Sequence, residues 1–182
     1  MALTYTPDPE IGKICPDFTL PGVDGKKYSL KDFKNSHPLV VMFICNHCPY
    51  VKAIEDRLIT LGHTLKEKNI NLVAICSNDA ENYPEDSFQN LQTRWKEKRY
   101  PFVYLHDESQ EIAKKFGAVC TPDFFVYDKN IKLAYRGRLD DSWKEPQKVA
   151  KQELLDAVLK LEKNESLTGP QTPSMGCNIK WR

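Results

Sequence analysis

Positions Leu39-Val40-Val41-Met42-Phe43-Ile44 are apolar without interruption. A strand buried on both faces has this signature, and it predicts a central place in a parallel sheet. Shortly downstream, apolar residues fall at Val51, Ile54, Leu58, Leu61 and Leu65. Those steps of three and four mark one face of a helix that should end near Asn69. Ile70-Asn71-Leu72-Val73-Ala74-Ile75-Cys76 then reads as a second buried strand, completing a right-handed parallel strand–helix–strand unit. Ser77-Asn78-Asp79 follow at its carboxyl end, where open α/β sheets place ligands.

The pattern continues outside this unit. Turn residues Pro21-Gly22-Val23-Asp24-Gly25 separate two short apolar pieces, 15–20 and 27–30, and predict a hairpin. Residues 1–13 read as extended and irregular. Asn82-Tyr83-Pro84 is a break, Phe88, Leu91 and Trp95 outline a helix, and residues 102–105 a short strand. Ile112, Ala113 and Phe116 belong to a short helix stopped by Gly117. Thr121-Pro122 opens a strand over 123–127, since a proline can begin a strand but not sit inside a central one. Asp128-Lys129-Asn130 turns the chain into a returning strand over 131–136, and residues 147–163 predict the last helix. From Ser166 onward there is no periodicity. The expected organisation is one α/β domain over 1–165 and a tail over 166–182, which Met175, Cys177, Ile179 and Trp181 can dock.

Composition narrows the functions more than the fold. Hydrophobic residues are 41% and the net charge is +1, so no long-range field recruits nucleic acid or an anionic membrane. No apolar run approaches the ~18 residues of a membrane span, and the first residues lack the charge and hydrophobicity of a signal peptide. The expected compartment is the cytosol, where structural disulfides are rare. Six cysteines, Cys15, Cys45, Cys48, Cys76, Cys120 and Cys177, include one close pair. In a reducing compartment such a pair is catalytic or metal-binding more often than structural.

That pair is Cys45-Asn46-His47-Cys48, directly after the first buried strand and before the long helix. The nucleophile of disulfide exchange is the thiolate, and a thiol of pKa ~8.5 is only about 3% ionised at pH 7. A helix N-terminus offers unpaired N–H groups worth roughly 0.3–1 kcal/mol to a nearby negative charge. A protonated His47 would add to this. Pro49 suits the first helical position and pushes Cys48 out of helical dihedrals, so the helix should start at Pro49 with Cys48 as its cap. One cysteine attacks a substrate disulfide and the other, three residues away, releases the product. A zinc site normally takes four ligands, His47 is expected to point away from a cluster, and no second ligand pair is visible. No metal is therefore expected. No glycine-rich phosphate loop is present, so no nucleotide or other cofactor is expected either.

The order of elements, with the dithiol at a strand–helix junction and Thr121-Pro122 later, resembles the thioredoxin fold over roughly 12–163. The pieces Pro16-Asp17-Phe18-Thr19-Leu20 and Asp24-Gly25-Lys26, and the extra helix and strand between Ser77 and Gly117, resemble its peroxiredoxin (alkyl hydroperoxide reductase/thiol-specific antioxidant) branch. The stretch Phe43 to Val51 resembles a peroxiredoxin-like group with its own Cys-Asn-His-Cys dithiol. The resemblance implies a central mixed sheet flanked by helices, an N-terminal hairpin, and a helix–strand insertion. It also implies a cis Thr121-Pro122 bond facing Cys45 and Cys48 and presenting backbone to an extended substrate. A Cys-x-His-Cys pair is shared with protein disulfide isomerases, which implies a more oxidising dithiol than thioredoxin's.

Two departures bear on which cysteine attacks. Ile44 stands where thioredoxins carry Trp. Cys48-Pro49 resembles the peroxidatic Cys-Pro of peroxiredoxins, yet Cys45 and Val41 stand where those enzymes need Thr or Ser and Pro. Their Arg is expected near Cys120 and Thr121, whereas Arg136 and Arg138 lie further along. Cys45 is thus the expected nucleophile and Cys48 the resolving thiol, with Asn46, His47, Thr121 and Pro122 supporting. The function expected is a thiol-disulfide oxidoreductase serving redox homeostasis or antioxidant defence. It acts on a protein or small-molecule disulfide with a thioredoxin or glutathione system as reductant, with a homodimer allowed. The alternatives are a thiol peroxidase acting through Cys48 and a non-enzymatic redox-responsive or metal-binding module. Cys120 and Cys177 are candidate third thiols, whereas Cys15 and Cys76 read as core. His37, His63 and His106 show no partner in the sequence.

Overall fold

A computed structural model describes residues 3–34 and 38–182; His37 lies outside them. The chain begins with β1 (Leu3–Tyr5), within the stretch expected to be irregular, and continues into a hairpin of β2 (Thr19–Pro21) and β3 (Lys27–Ser29). The apolar run forms β4 (Leu39–Phe43), followed by α1 (Pro49–Glu67) and β5 (Asn71–Cys76). The inserted segment supplies a single 3-10 turn at Pro84–Asp86, α2 (Phe88–Lys98) and β6 (Val103–His106). Then come α3 (Glu111–Phe116), the two-residue β7 (Cys120–Thr121), the hairpin of β8 (Asp123–Tyr127) and β9 (Leu133–Gly137), α4 (Glu153–Glu162) and β10 (Met175–Asn178).

The central sheet has the order β6-β5-β4-β8-β9, with β4, β5 and β6 parallel and β8 and β9 antiparallel. Strand alternation splits the core in two. Val40, Met42 and Ile44 pack with the α1 stripe of Val51, Ile54, Leu58, Leu61 and Leu65 and with Leu154 and Val158 of α4. Leu39, Val41 and Phe43 face the other way, against Phe18, Leu30, Ile112 and Phe116. All five β4 residues are fully buried, which is why the run carries no polar position. Among the described residues, no helix is long and apolar enough to cross a membrane.

Two differences from the sequence pattern have local causes. The last helix is α4, shorter than 147–163, because a 3-10 turn at Pro146–Lys148 is followed by a loop in which the Asp141 carboxylate accepts the N–H groups of Ala150 and Lys151. The region expected to be an aperiodic tail returns to the fold as β10. It lies between β1 and β7 in a second, three-stranded sheet, with Leu3 opposite Cys177 and Cys177 opposite Thr121.

Candidate active site

β4 and the following residue, whose Ile44 N–H bonds to the Ile75 carbonyl at 3.1 Å, deliver Cys45 to the carboxyl edge of the sheet. Cys48 is the N-cap of α1, with extended dihedrals and Pro49 at the first helical position. Thr121-Pro122 is cis and meets both sulfurs. Cys45 Sγ lies 3.4 Å from the Thr121 hydroxyl, and Cys48 Sγ 3.1 Å from the Thr121 carbonyl oxygen.

The loop between the cysteines is organised by a residue to which the sequence pattern gave no role. Asp86 is fully buried, and its carboxylate accepts from Asn46 N–H at 2.7 Å, His47 N–H at 3.3 Å and Asn78 Nδ2 at 2.8 Å. It also pairs with His47 Nδ1 at 2.5 Å. Asn46 Nδ2 donates to the Glu85 carbonyl, and Tyr83 stacks on the His47 ring with centroids 5.0 Å apart. His47 does not point away from the cysteines as expected. Its Nδ1 is 3.8 Å from Cys45 Sγ, and Cys45, His47 and Asp86 form a donor set within 4.8 Å, one short of the four ligands usual for structural zinc. The only sequence signal for Asp86 was its place just after the Asn82-Tyr83-Pro84 break.

The two thiols are unequal. The thiol of Cys45 donates to Cys48, and with the Thr121 hydroxyl, Val51 N–H and Cys177 thiol it holds the Cys48 pKa down to about 5 against the cost of burial. Burial drives Cys45 well up, aided by its bond to Cys48 and by the Asp86 charge. The two sulfurs favour a single shared negative charge, with the lower pKa at Cys48; when protonated, Cys48 Sγ donates to the Thr121 carbonyl. Both sulfurs are shielded from solvent, with Cys45 2% and Cys48 0% exposed. A groove of about 260 Å³, whose walls include Tyr50, Pro122, Trp143 and Met175, opens beside the cis proline.

The other candidates divide. Cys177, in β10, comes onto Cys48 and hydrogen-bonds to it. Cys120 is buried with its thiol on the Pro122 carbonyl, and burial pushes its pKa up; strand alternation turns it from the face that Thr121 presents to Cys45. Cys15 and Cys76 are core residues. His106 is buried against Phe88, and burial lowers its pKa, whereas His63 is exposed on α1. Arg136 is committed to a buried ion pair with Asp123 at 2.8 Å.

Comparison with known proteins agrees with this geometry. Residues 11–136 match the model of the AhpC/TSA family. Over 130 residues the chain is 27% identical to the thiol-disulfide oxidoreductase ResA of Bacillus thuringiensis subsp. konkukian, covering 68% of this chain and 67% of that one. An uncharacterized conserved protein from Geobacillus kaustophilus shares 42% identity at a TM-score of 0.94, covering 100% of this chain and 97% of its own. The exposed lipoprotein thioredoxin of Streptococcus pneumoniae, at 22% identity and TM-score 0.60 over 82% of this chain and 99% of its own, shares the fold.

Proposed function

The chain belongs to the AhpC/TSA family, and we propose that it is a thiol-disulfide oxidoreductase working through Cys45 and Cys48. The observation that carries this reading is geometric: Cys48 stands at the N-cap of α1, three residues after Cys45, and both sulfurs meet the cis Thr121-Pro122 segment. The Cys48 sulfur attacks a substrate disulfide and expels one half as thiolate. Cys45 then attacks Cys48 Sγ, releases the second half and leaves a Cys45–Cys48 disulfide. This order is the reverse of the one expected from the sequence; the direction in which the Cys48 pKa is shifted, down to about 5, supports it. Asp86 and His47 hold the loop, and Thr121 presents backbone to the substrate.

A thioredoxin or glutathione system returns the dithiol to its reduced state. Six free cysteines suit a reducing compartment such as the cytosol, and an antioxidant role follows from keeping protein thiols reduced. Association into a homodimer is compatible with this chemistry. Turnover of a protein disulfide in a dithiol-coupled assay, abolished in Cys48→Ser, is the test; a fully active Cys48→Ser variant would defeat the reading. A peroxidase reading draws on Cys48-Pro49, but Arg136 is taken up by Asp123. Peroxide consumption lost in Cys48→Ser and kept in Cys45→Ser would favour it. The Cys45–His47–Asp86 donor set favours a metal-binding module only if metal survives purification without thiol turnover.

A further inference from the structure

β7 is two residues long and ends at the cis proline. It runs beside the dithiol, since the Thr121 carbonyl is 3.1 Å from Cys48 Sγ. An extended substrate pairing with β7 would set its cysteine opposite Thr121. In this chain the position is already filled. β10 runs antiparallel to β7 and puts Cys177 opposite Thr121. The Cys177 thiol hydrogen-bonds to Cys48 there.

The sequence of β10 is fitted to that approach. A Cβ at Gly176 would stand 1.9 Å from the Thr121 carbonyl oxygen and 3.0 Å from Pro122 Cδ. Only glycine lets the strand lie so close. Both flanks are tied: Ser174 Oγ donates to the Pro122 carbonyl at 2.8 Å, and Ile179 N–H to the Val119 carbonyl at 3.0 Å.

We propose that Cys177 is a third redox-active cysteine, held by β10 in the place of a substrate cysteine and able to take the disulfide from the dithiol as a Cys48–Cys177 bond. This rests on the dithiol chemistry proposed above. In the exchange, the Cys177 sulfur attacks Cys48 Sγ of the Cys45–Cys48 disulfide. The Cys48–Cys177 bond forms as the Cys45–Cys48 bond breaks. Cys45 leaves as a thiolate and takes up the proton that Cys177 gives up. No electrons enter or leave, so no further oxidant is involved. The product has its carboxy-terminal strand fastened over β7, and reduction of the new bond frees it.

The test is a non-reducing peptide map by mass spectrometry. Full-length wild type and Cys45→Ser are oxidised with oxidised glutathione, quenched in acid and alkylated. Wild type is expected to yield both Cys45–Cys48 and Cys48–Cys177, and Cys45→Ser to yield Cys48–Cys177. A Cys48–Cys177 peptide in either sample sustains the proposal. Wild type needs no folded variant to give this answer. Alkylated Cys177 in both samples, with Cys45–Cys48 formed in wild type, overturns the proposal and leaves the dithiol chemistry standing. Neither linkage in either sample overturns both.

Discussion

A titration of Cys48 distinguishes the two orders of attack. Its neighbours hold its pKa down to about 5, well below the ordinary thiol range, so the thiolate is favoured at neutral pH. Its donors include the Cys45 thiol, Val51 N–H and the Cys177 thiol. Hydrogen bonds to a charge are worth about 1.5–3 kcal/mol each, with thiols, as weak donors, at the lower end. Cys45→Ala should then raise the midpoint by about one to two units and Cys177→Ala by about one. The ultraviolet absorbance of the thiolate, followed in fully reduced protein between about pH 3 and 9, reads this directly. Burial keeps the thiols of Cys15, Cys76 and Cys120 above that window, so the transition belongs to the dithiol and its neighbour. Because the attacking form is the deprotonated one, disulfide reduction should rise as pH climbs through about 5 and level off above. A transition that survives Cys48→Ser and vanishes in Cys45→Ser would refute the reasoning and return the nucleophile to Cys45.

Asp86→Asn keeps the shape but removes the charge that four donors address, and should lower stability by about 2–4 kcal/mol. Urea denaturation showing a change under about 0.5 kcal/mol would mean that the loop does not depend on that carboxylate. Arg136→Met leaves Asp123 buried and unpaired, at a cost of about 3–5 kcal/mol near neutral pH. Burial already raises the Asp123 pKa to about 6, so its contribution is full below the ordinary carboxylate value and fades as pH rises through about 6. Without the guanidinium that pKa rises further. The variant should thus be penalised more at about pH 8 than at about pH 4.5, and equal penalties at the two pH values would contradict the pairing. Gly176→Ala should displace β10 at a cost of about 1–3 kcal/mol and speed alkylation of Cys177 in the reduced protein; an unchanged alkylation rate would contradict the tight approach.

Legibility in the sequence followed distance along the chain. The run 39–44 and the stripe from Val51 to Leu65 reveal themselves because each records its own burial at the local repeat. Pro49 likewise announces the first turn of α1 and makes Cys48 the cap. Asp86 reaches Asn46 across forty positions of sequence, from a single turn too short to have a period. β10 was less legible still. It is four residues long and contains a glycine, and its partners are the three-residue β1 and the two-residue β7. Its strand character comes from the backbone groups it satisfies on both sides, and no side-chain pattern encodes that. The contact of Cys177 with Cys48 shares this origin, since Cys177 reaches that sulfur only through β10.

A dithiol that is 2% and 0% exposed cannot meet a substrate without movement, and β10 is the element whose displacement frees the β7 edge. Exposing buried Cys177 and Ile179 costs on the order of 3 kcal/mol, taking one fully buried aliphatic side chain and a smaller one. At that cost alone, before the lost backbone bonds are counted, the open form is at most about one molecule in 160, and apparent affinity for a substrate strand falls by at least that factor. A small disulfide gains little from opening, since it makes no ladder to replace the one lost. An extended protein segment recovers those backbone bonds along β7 and brings its own sulfur to Cys48. On the dithiol chemistry proposed above, the covered edge should favour extended, disulfide-bearing chains over small disulfides, and equal turnover of the two by the full-length protein would contradict this.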